Sequence, residues 1–175
     1  MNIKWDADKY TKDFSFVHQY GNDVAELINC EKGGTLIDLG CGSGALTKVL
    51  QEKGFRVTGM DSSEELLETA RRKYPGIPFI WADAADFSVE EAVDVIFSNA
   101  VFHWIDKEKQ TNMLACVHRA LKGKGQFVFE FGGHGNNARI HGVLAEVFSE
   151  HGYEYRMPFY FPTIGEYASM VEQEG

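Results

Sequence analysis

The segment Leu36 to Leu46, L-I-D-L-G-C-G-S-G-A-L, has residue types and spacing that could bind a cofactor. Its apolar run predicts a buried strand, and Gly40, Gly42 and Gly44 follow at alternate positions before a predicted helix. Glycine lacks a Cβ atom, so a ligand can lie against the backbone, beside the partial positive charge of a helix N-terminus. The spacing therefore predicts a cofactor-binding turn.

Two kinds of cofactor fit this turn. Gly40, Gly42 and Ala45 satisfy the dinucleotide pattern G-x-G-x-x-G/A. An S-adenosylmethionine site instead requires an acidic residue two positions before the first glycine, and Asp38 occupies that position. The pattern D-x-G-x-G-x-G describes the segment better, because it also accounts for Asp38 and Gly44.

Two further aspartates follow the next two predicted strands. Asp61 comes after R-V-T-G-M, about 20 positions past the glycine turn, where an acidic residue accepts hydrogen bonds from ribose hydroxyls. Ser62 is predicted to cap the following helix in a capping box with Glu65, so Asp61 is not needed as the cap. Asp83 lies one strand-helix-strand repeat further on, at the same carboxyl edge, and is predicted to contact adenine.

Overall composition limits the classes of partner. A chain of 175 residues suits one domain, and its net charge of -9, without a basic stripe, argues against nucleic acid. No apolar run approaches the ~18 residues of a membrane helix, and the charged N-terminus lacks an apolar secretory core. The three cysteines and the histidines have neither disulfide nor metal spacing. We therefore predict a cytoplasmic protein without a metal.

The hydrophobic periodicity predicts an α/β fold, with a doubly wound, mostly parallel sheet and helices on both faces. A docking helix is predicted around residues 140–148 and an amphipathic helix over 163–172, while Asp106 is expected to cap the helix after the fourth strand. The N-terminal aromatics either pack on the sheet or close over the cofactor as a lid, for which Tyr10 and Phe16 are the candidates.

Several motifs together carry a family resemblance: L-I-D-L-G-C-G-S-G, V-T-G-M-D-S-S, A-D-A-A-D-F, S-N-A-V-F-H-W-I and F-E-F-G-G-H-G-N-N. From about residue 5 to its end, the chain resembles class I S-adenosylmethionine-dependent methyltransferases. The segments H-W-I and G-G-H-G-N look like the small-molecule branch that includes trans-aconitate and malonyl-carrier-protein methyltransferases. The implied cofactor-binding residues are Asp38, Gly40, Cys41, Gly42, Gly44, Asp61, Ser62, Asp83, Ala84 and Asn99, with Asn99 beside the methyl-bearing sulfur.

The resemblance also implies what this chain lacks. The family sheet has seven strands in the order 3-2-1-4-5-7-6, and the chain ends about where the sixth strand should begin. We therefore expect one methyltransferase domain over 1–175, with N-terminal lid helices over 1–32, a core over 33–152 and a short C-terminal segment over 153–175. The fifth strand would then be an exposed edge, covered by residues 153–161 or by a second copy in a homodimer.

The implied reaction is methyl transfer to a small molecule or a carrier-bound acyl group, at a carboxylate or hydroxyl oxygen. A carboxylate is already ionised, whereas a hydroxyl or amine needs a base, and His103 is the candidate. A histidine beside a tryptophan is more often a packing residue, and Trp104 is expected to wall the pocket. The alternatives are an NAD-linked oxidoreductase, which leaves Asp38 and Asp83 unexplained, and a non-catalytic cofactor-binding fragment.

Overall fold

The sheet has the topology that the sequence predicts. The computed structural model describes residues 21–175, so the lid candidates Tyr10 and Phe16 lie outside the described residues. Within that range, five parallel strands form one sheet in the order β3-β2-β1-β4-β5. The strands are β1 Thr35–Leu39, β2 Arg56–Asp61, β3 Phe79–Trp81, β4 Val93–Asn99 and β5 Leu121–Glu130. This order confirms the predicted doubly wound fold.

Five helices connect or follow these strands in the described part of the chain. They are α1 Ala45–Glu52, α2 Glu64–Lys73, α3 Gln110–Ala120, α4 Ala138–Glu150 and α5 Ile164–Glu174, with 3-10 turns at Phe102–Trp104 and Lys107–Lys109. Residues 21–25 are also helical. No described helix has the length and apolar character needed to cross a bilayer.

Alternate residues of the central strands are buried on opposite faces of the sheet, as expected for a parallel sheet. On one face, Leu36, Phe97 and Val128 pack with residues of α1 and with Ala25. On the other face, Ile37 and Ile96 belong to a cluster that includes Phe102, Met113, Val117 and Tyr167. Both faces of β1 and β4 are thus covered, which holds the carboxyl ends of these strands in fixed register.

The helix caps differ from the prediction in two places. The cap of α2 is Ser63, whose Oγ accepts from the Leu66 backbone N–H at 3.4 Å, so the predicted capping box at Ser62 is wrong by one residue. Asp106 precedes a 3-10 turn and makes no side-chain cap bond, and α3 begins after Lys109. The inserted 3-10 turn separates Asp106 from the N-terminus that it was expected to cap.

The C-terminal residues pack beside the carboxyl end of the sheet. Helix α5 lies against α3, where the Tyr167 hydroxyl donates to Gln110 Oε1 at 3.1 Å, and this confirms the predicted last helix. The preceding segment does not run along β5: Tyr160 N donates to His103 O at 3.0 Å, and His134 N donates to Pro162 O at 2.8 Å. The predicted covering of the β5 edge by residues 153–161 is therefore wrong, because this segment follows the loop after β4 instead.

Helix α4 forms as predicted, but the described residues leave most of its apolar stripe uncovered. The side chains of Ile140, Val143 and Val147 are 59%, 53% and 44% exposed. His141 is the buried residue of this helix, and its ring packs against Tyr155 and Phe159. The predicted docking of the stripe is therefore limited to Phe148, whose ring packs edge-on against Tyr155 with centroids 5.4 Å apart, while Ile140, Val143 and Val147 stay exposed.

Candidate functional site

The glycine turn between β1 and α1 has one open position. Gly40, Gly42 and Gly44 have φ angles of 80°, 53° and 80°, which glycine adopts without steric cost. A Cβ atom at Gly40 would meet Val101 at 2.3 Å, and one at Gly44 would meet Phe79 at 2.7 Å. A Cβ atom at Gly42 would meet nothing within 4 Å. The missing Cβ atoms of Gly40 and Gly44 therefore let Val101 and Phe79 pack close to the turn. At Gly42 the missing Cβ atom leaves the backbone facing open space.

Asp61 connects the glycine turn to the end of β2. Its Oδ2 accepts the Gly42 backbone N–H and its Oδ1 accepts the Ser63 N–H, both at 2.8 Å. Each carboxylate oxygen keeps a second lone pair, which can accept another donor. Burial raises the pKa of this carboxyl, and the bonds from Ser63 and Gly42 lower it in part. Asp61 thus fixes the conformation of the turn and can still accept a hydrogen bond from a ligand.

Asp38 lies beneath the turn, and its side chain is 2% exposed. Thr47 of α1 donates its hydroxyl hydrogen to Asp38 Oδ2 at 2.6 Å. Burial is the main cause that raises the pKa of Asp38 to about 7, and the negative charge of Asp61 adds to it, while the bond from Thr47 opposes it. Burial likewise raises the pKa of the neighbouring Cys41 thiol. The site therefore holds two carboxylates close together at little exposure.

The predicted adenine-binding residues lie beyond β3. Asp83 Oδ1 accepts the Ala85 N–H at 2.9 Å, which shapes the turn that also contains Ala84. Trp81 is a residue that the sequence reasoning missed: it pairs with Asp61 in register, is 56% exposed, and its Nε1 donates to Ser62 O at 2.8 Å. The signal available in the sequence was a tryptophan at the end of the predicted third strand, two residues before Asp83.

A second group of residues lies at the carboxyl ends of β4 and β5. A cavity of about 610 Å³ is lined by Asn99, Ala100, His103, Glu130, Phe131 and the loop from Gly132 to Asn136. The Asn99 side chain is buried at 9% exposure, and its Oδ1 has no hydrogen-bond partner among the described residues. An unsatisfied buried acceptor is costly unless a ligand or water donates to it. The unsatisfied Asn99 Oδ1 therefore makes this cavity a candidate place for a ligand.

His103 also lines this cavity, but its hydrogen bonding favours a different role from the one predicted. Its Nδ1 accepts the Gly132 backbone N–H at 3.3 Å, so the neutral ring carries its proton on Nε2. Burial lowers the pKa of His103 to about 4. The ring is thus a neutral hydrogen-bond donor at physiological pH. Trp104 is not among the described lining residues and packs edge-on against Phe159, with ring centroids 4.6 Å apart.

The structure therefore brings the predicted residues together in two groups. Asp38, Gly42 and Asp61 meet at the ends of β1 and β2, while Asn99 and His103 meet beyond β4. The loop after β5 and Glu130 complete the second group, and the sequence reasoning had not assigned them a role. The sequence of this stretch, E-F-G-G-H-G-N, has no hydrophobic periodicity that would predict residues lining a cavity.

Replacing Asp61 by asparagine is expected to weaken nucleoside binding about 10- to 100-fold, since a charge-assisted hydrogen bond contributes about 1.5–3 kcal/mol. An asparagine side chain offers one acceptor oxygen to the two backbone N–H groups that Asp61 now binds. Titration calorimetry with S-adenosylmethionine would measure the change, with Ser63→Ala as a control that removes only the helix cap. Equal affinity in Asp61→Asn and wild type would contradict the assignment.

His103 is expected to stay neutral from pH 5 to pH 8, because burial lowers its pKa to about 4. Its folded pKa lies below the unfolded value of about 6.5, so the contribution of His103 to the free energy of unfolding should rise as pH increases from about 4 to about 6.5. Heteronuclear NMR of the imidazole nitrogens would report the Nε2–H tautomer across this range. A His103 titration midpoint near 6.5, or an Nδ1–H tautomer, would contradict this arrangement.

Comparison with known proteins gives one family. Residues 36–125 match the model of a methyltransferase domain. An uncharacterised methyltransferase of Schizosaccharomyces pombe is 32% identical to this chain, over 98% of the chain and 70% of that protein. A trans-aconitate 2-methyltransferase of Rhizobium rhizogenes is 37% identical over 59% of the chain, but this match spans only 41% of the relative's length.

The fold is also similar to solved structures. A TehB-like SAM-dependent methyltransferase of Corynebacterium glutamicum superposes with a TM-score of 0.71 at 23% identity, over 97% of this chain and 82% of that one. At this identity the likeness concerns the fold alone. The sheet that carries the two groups of site residues is therefore shared with a known enzyme fold.

Proposed function

The chain belongs to the class I S-adenosylmethionine-dependent methyltransferases, and from that premise we propose that it transfers a methyl group to an oxygen atom of a small molecule. The observation that carries the proposal is the turn at Gly42, where bare backbone faces open space between the buried Asp38 and the partly buried Asp61. The cavity beyond β4, with the unsatisfied Asn99 Oδ1, is the proposed place of the methyl acceptor.

The residues of the turn fit S-adenosyl-L-methionine, the cofactor of this family. We propose that Asp38 attracts its ammonium group and that the Gly40 to Gly44 backbone lies against its methionine moiety, with Cys41 packed behind. Asp61 and Ser62 would hold the ribose, and Asp83 and Ala84 the adenine. The open position at Gly42 and the orphaned Asn99 Oδ1 are the features of this chain that support the fit.

The bound cofactor would supply a sulfonium methyl group as the electrophile, so the protein mainly has to position the acceptor and exclude water. Asn99 is placed to accept a hydrogen bond in the cavity, and His103 to serve as a neutral donor. The rings of Trp104, Phe159 and Phe161 pack around His103 and keep it from water. This division of roles requires neither a metal nor a charged histidine.

Ligand binding tests the proposal directly. A ligand that binds only the native state stabilises it by about 2.7 kcal/mol at 100 times its Kd, which is roughly a 5 to 10 °C shift in Tm for a chain of this size. We expect such shifts with S-adenosylmethionine and with S-adenosylhomocysteine, and none with NAD. A shift with NAD alone would instead favour the oxidoreductase alternative and would overturn the proposal.

We also propose a cytoplasmic location and a homodimer. The net charge of -9 and the absence of a membrane-spanning helix among the described residues support a cytoplasmic protein. A homodimer through β5 is supported by its position at the end of the sheet order, where its outer edge can pair with another strand. A carrier-bound acyl group would be an alternative acceptor to a free small molecule. Sedimentation velocity would measure the assembly.

A further inference from the structure

Glu130 and Asn99 are register partners at the carboxyl ends of β5 and β4. Paired residues of neighbouring strands extend to the same side of a sheet and lie about 5 Å apart. Both line the 610 Å³ cavity, and the Ala100 backbone N–H donates to Glu130 O at 2.8 Å, which fixes the backbone at this point. The side chains of Glu130 and Asn99 therefore extend from neighbouring backbone positions to the same cavity.

The charges around this cavity favour one kind of acceptor. Within residues 21–175, no lysine or arginine lines the cavity, and none forms an ion pair with Glu130. His134 and His103 are the other titratable residues in the lining, and His103 is neutral at physiological pH. The negative charge of Glu130 would repel an acceptor carboxylate, while it would attract an amine or accept the proton of a hydroxyl.

We propose that Glu130 is the general base of the transfer and that the acceptor is therefore a group with a proton to lose, not a carboxylate: a hydroxyl, as in the proposed transfer to oxygen, or an amine, which would change the accepting atom to nitrogen. The inference rests on the proposed function. His103, the base candidate from the sequence, already uses its Nδ1 lone pair to accept from Gly132 N–H. Glu130 and His134 then remain as proton acceptors in the lining, and Glu130 is the one that strand pairing holds next to Asn99, whereas His134 lies on the loop after β5. Partial burial raises the pKa of Glu130, although its side chain still meets solvent, and this makes it a stronger base.

The step balances with the groups present. A lone pair on the acceptor oxygen or nitrogen forms the new bond to the methyl carbon, and the carbon–sulfur bond breaks with its electron pair remaining on sulfur. An acceptor ammonium group first releases a proton to water, so that the attacking nitrogen has a lone pair. The proton that the hydroxyl or neutral amine loses on transfer passes to a carboxylate oxygen of Glu130, which later returns it to water. The products are a methyl ether or a methylamine, together with a neutral thioether. No charge from the reaction then remains in the cavity.

Labelled methyl transfer would test the acceptor class. Wild type is incubated with S-adenosylmethionine carrying a radioactive methyl group and with the low-molecular-mass filtrate of a cell extract. We expect labelled products that resist mild alkali, and a 10²- to 10⁴-fold lower rate in Glu130→Gln, the usual range for loss of a general base. Glu68→Gln, an exposed change on α2, is the matched control and should keep the wild-type rate.

A binding experiment adds a readout that does not depend on turnover. Benzylamine, benzyl alcohol and benzoate share one skeleton, and their binding to protein saturated with S-adenosylhomocysteine can be measured by ligand-observed NMR. We expect benzylamine and benzyl alcohol to bind more tightly than benzoate in wild type. In Glu130→Gln we expect a gain of about 10-fold for benzoate and a loss of similar size for benzylamine, since a nearby charge contributes about 1.4 kcal/mol or more at low dielectric.

The outcomes separate this inference from the proposed function. Products that release labelled methanol in mild alkali are carboxyl esters and would overturn it, as would an unchanged rate in Glu130→Gln. Cofactor binding without transfer to any acceptor in the filtrate would likewise remove Glu130 as a base, and would leave the cofactor site standing. Failure of wild type to bind S-adenosylmethionine would instead refute the proposed function itself.

Discussion

Gly42→Val is expected to lower the affinity for S-adenosylmethionine more than 100-fold while the fold is retained. Gly42 has a φ of 53°, and its missing Cβ faces space that no described atom fills within 4 Å. The valine side chain would therefore enter the region proposed for the cofactor without clashing with the protein. Steric exclusion and lost contacts with the methionine moiety would together reduce the binding free energy by more than about 2.7 kcal/mol, which corresponds to a 100-fold higher Kd.

Gly33 offers a matched control for the backbone strain. Its φ is 88°, and a Cβ atom there would also meet nothing within 4 Å, so Gly33→Val places the same side chain in a left-handed conformation. Gly33 precedes β1 and Gly42 follows it, so the length of the strand, roughly 17 Å at about 3.3 Å per residue, separates the two glycines. Both variants should thus lose similar stability, and only one should lose the cofactor.

Titration calorimetry at a temperature well below both melting points would measure the two affinities, and urea unfolding would measure the two stabilities. The expected result is a large difference in affinity with a small difference in the free energy of unfolding. Equal affinities in Gly42→Val and Gly33→Val would show that the open position at Gly42 is not where the cofactor lies. Gly42→Ala repeats the test with a smaller side chain should valine impair folding.

Local sequence carried most of the information about β1 to β4 and the glycine turn. A buried apolar strand, alternate glycines and an aspartate two positions before them are all contiguous, so no tertiary contact was needed to recognise them. The order of the first five strands also follows from the resemblance, and the sheet confirms it. The ligand roles of Asp61, Asp83 and Asn99 stay predictions, although the structure brings Asp61 to Gly42.

The second half of the site depends on contacts that are distant in sequence. Glu130 meets Asn99 only through the pairing of β4 with β5, and His103 acquires its tautomer from Gly132, 29 residues away. Neither relation has a signature in the spacing of residues. The sequence therefore indicated that His103 could be a base. In the structure its Nδ1 atom accepts the Gly132 N–H, so the lone pair of that atom is no longer free to take a proton.

The predictions about the C-terminal half failed for a related reason. An apolar stripe on α4 predicts burial, but only if another element lies opposite it, and the described residues provide none for Ile140, Val143 and Val147. The aromatic segment before α5 was apolar enough to cover β5, but its rings pack with His103, Trp104 and His141 instead. Hydrophobic pattern shows which residues tend to be buried, and it does not identify the surface that buries them.

Asp38→Asn is expected to stabilise the free protein at pH 8 and to weaken cofactor binding. The folded pKa of Asp38 is raised to about 7, mainly by burial, whereas the ordinary pKa of an aspartate carboxyl is 3.8. The folded state therefore holds the proton more tightly than the unfolded chain does. The contribution of Asp38 to the free energy of unfolding should then fall as pH rises from about 4 to about 7 and stay constant above that range, a loss of the order of 4 kcal/mol at ~1.4 kcal/mol per pKa unit.

Asparagine resembles the protonated form of Asp38, because its amide oxygen can still accept from the Thr47 hydroxyl, now 2.6 Å from Asp38 Oδ2. The variant should thus be more stable than wild type at pH 8 and equal to it near pH 4. Its amide carries no charge to attract the cofactor ammonium group, so affinity should fall about 10- to 100-fold, the loss of one charge-assisted hydrogen bond. Such opposed effects are typical of a functional residue held in an unfavourable environment.

Asp94→Asn is a control whose expected effect on stability at pH 8 is opposite in sign to that of Asp38→Asn. Its carboxylate accepts from Lys122 Nζ and from Thr35 N, both at 2.8 Å, and these bonds hold the pKa of Asp94 well below its usual range. This variant should therefore lose stability by a similar amount at pH 8 and at pH 4, because the lowered folded pKa of Asp94 lies below both pH values. Urea unfolding at pH 4 and pH 8, with calorimetry at pH 8, measures all three proteins. An Asp38→Asn variant that is destabilised equally at both pH values, or that binds the cofactor as wild type does, would show that the buried charge at Asp38 is not held for the cofactor.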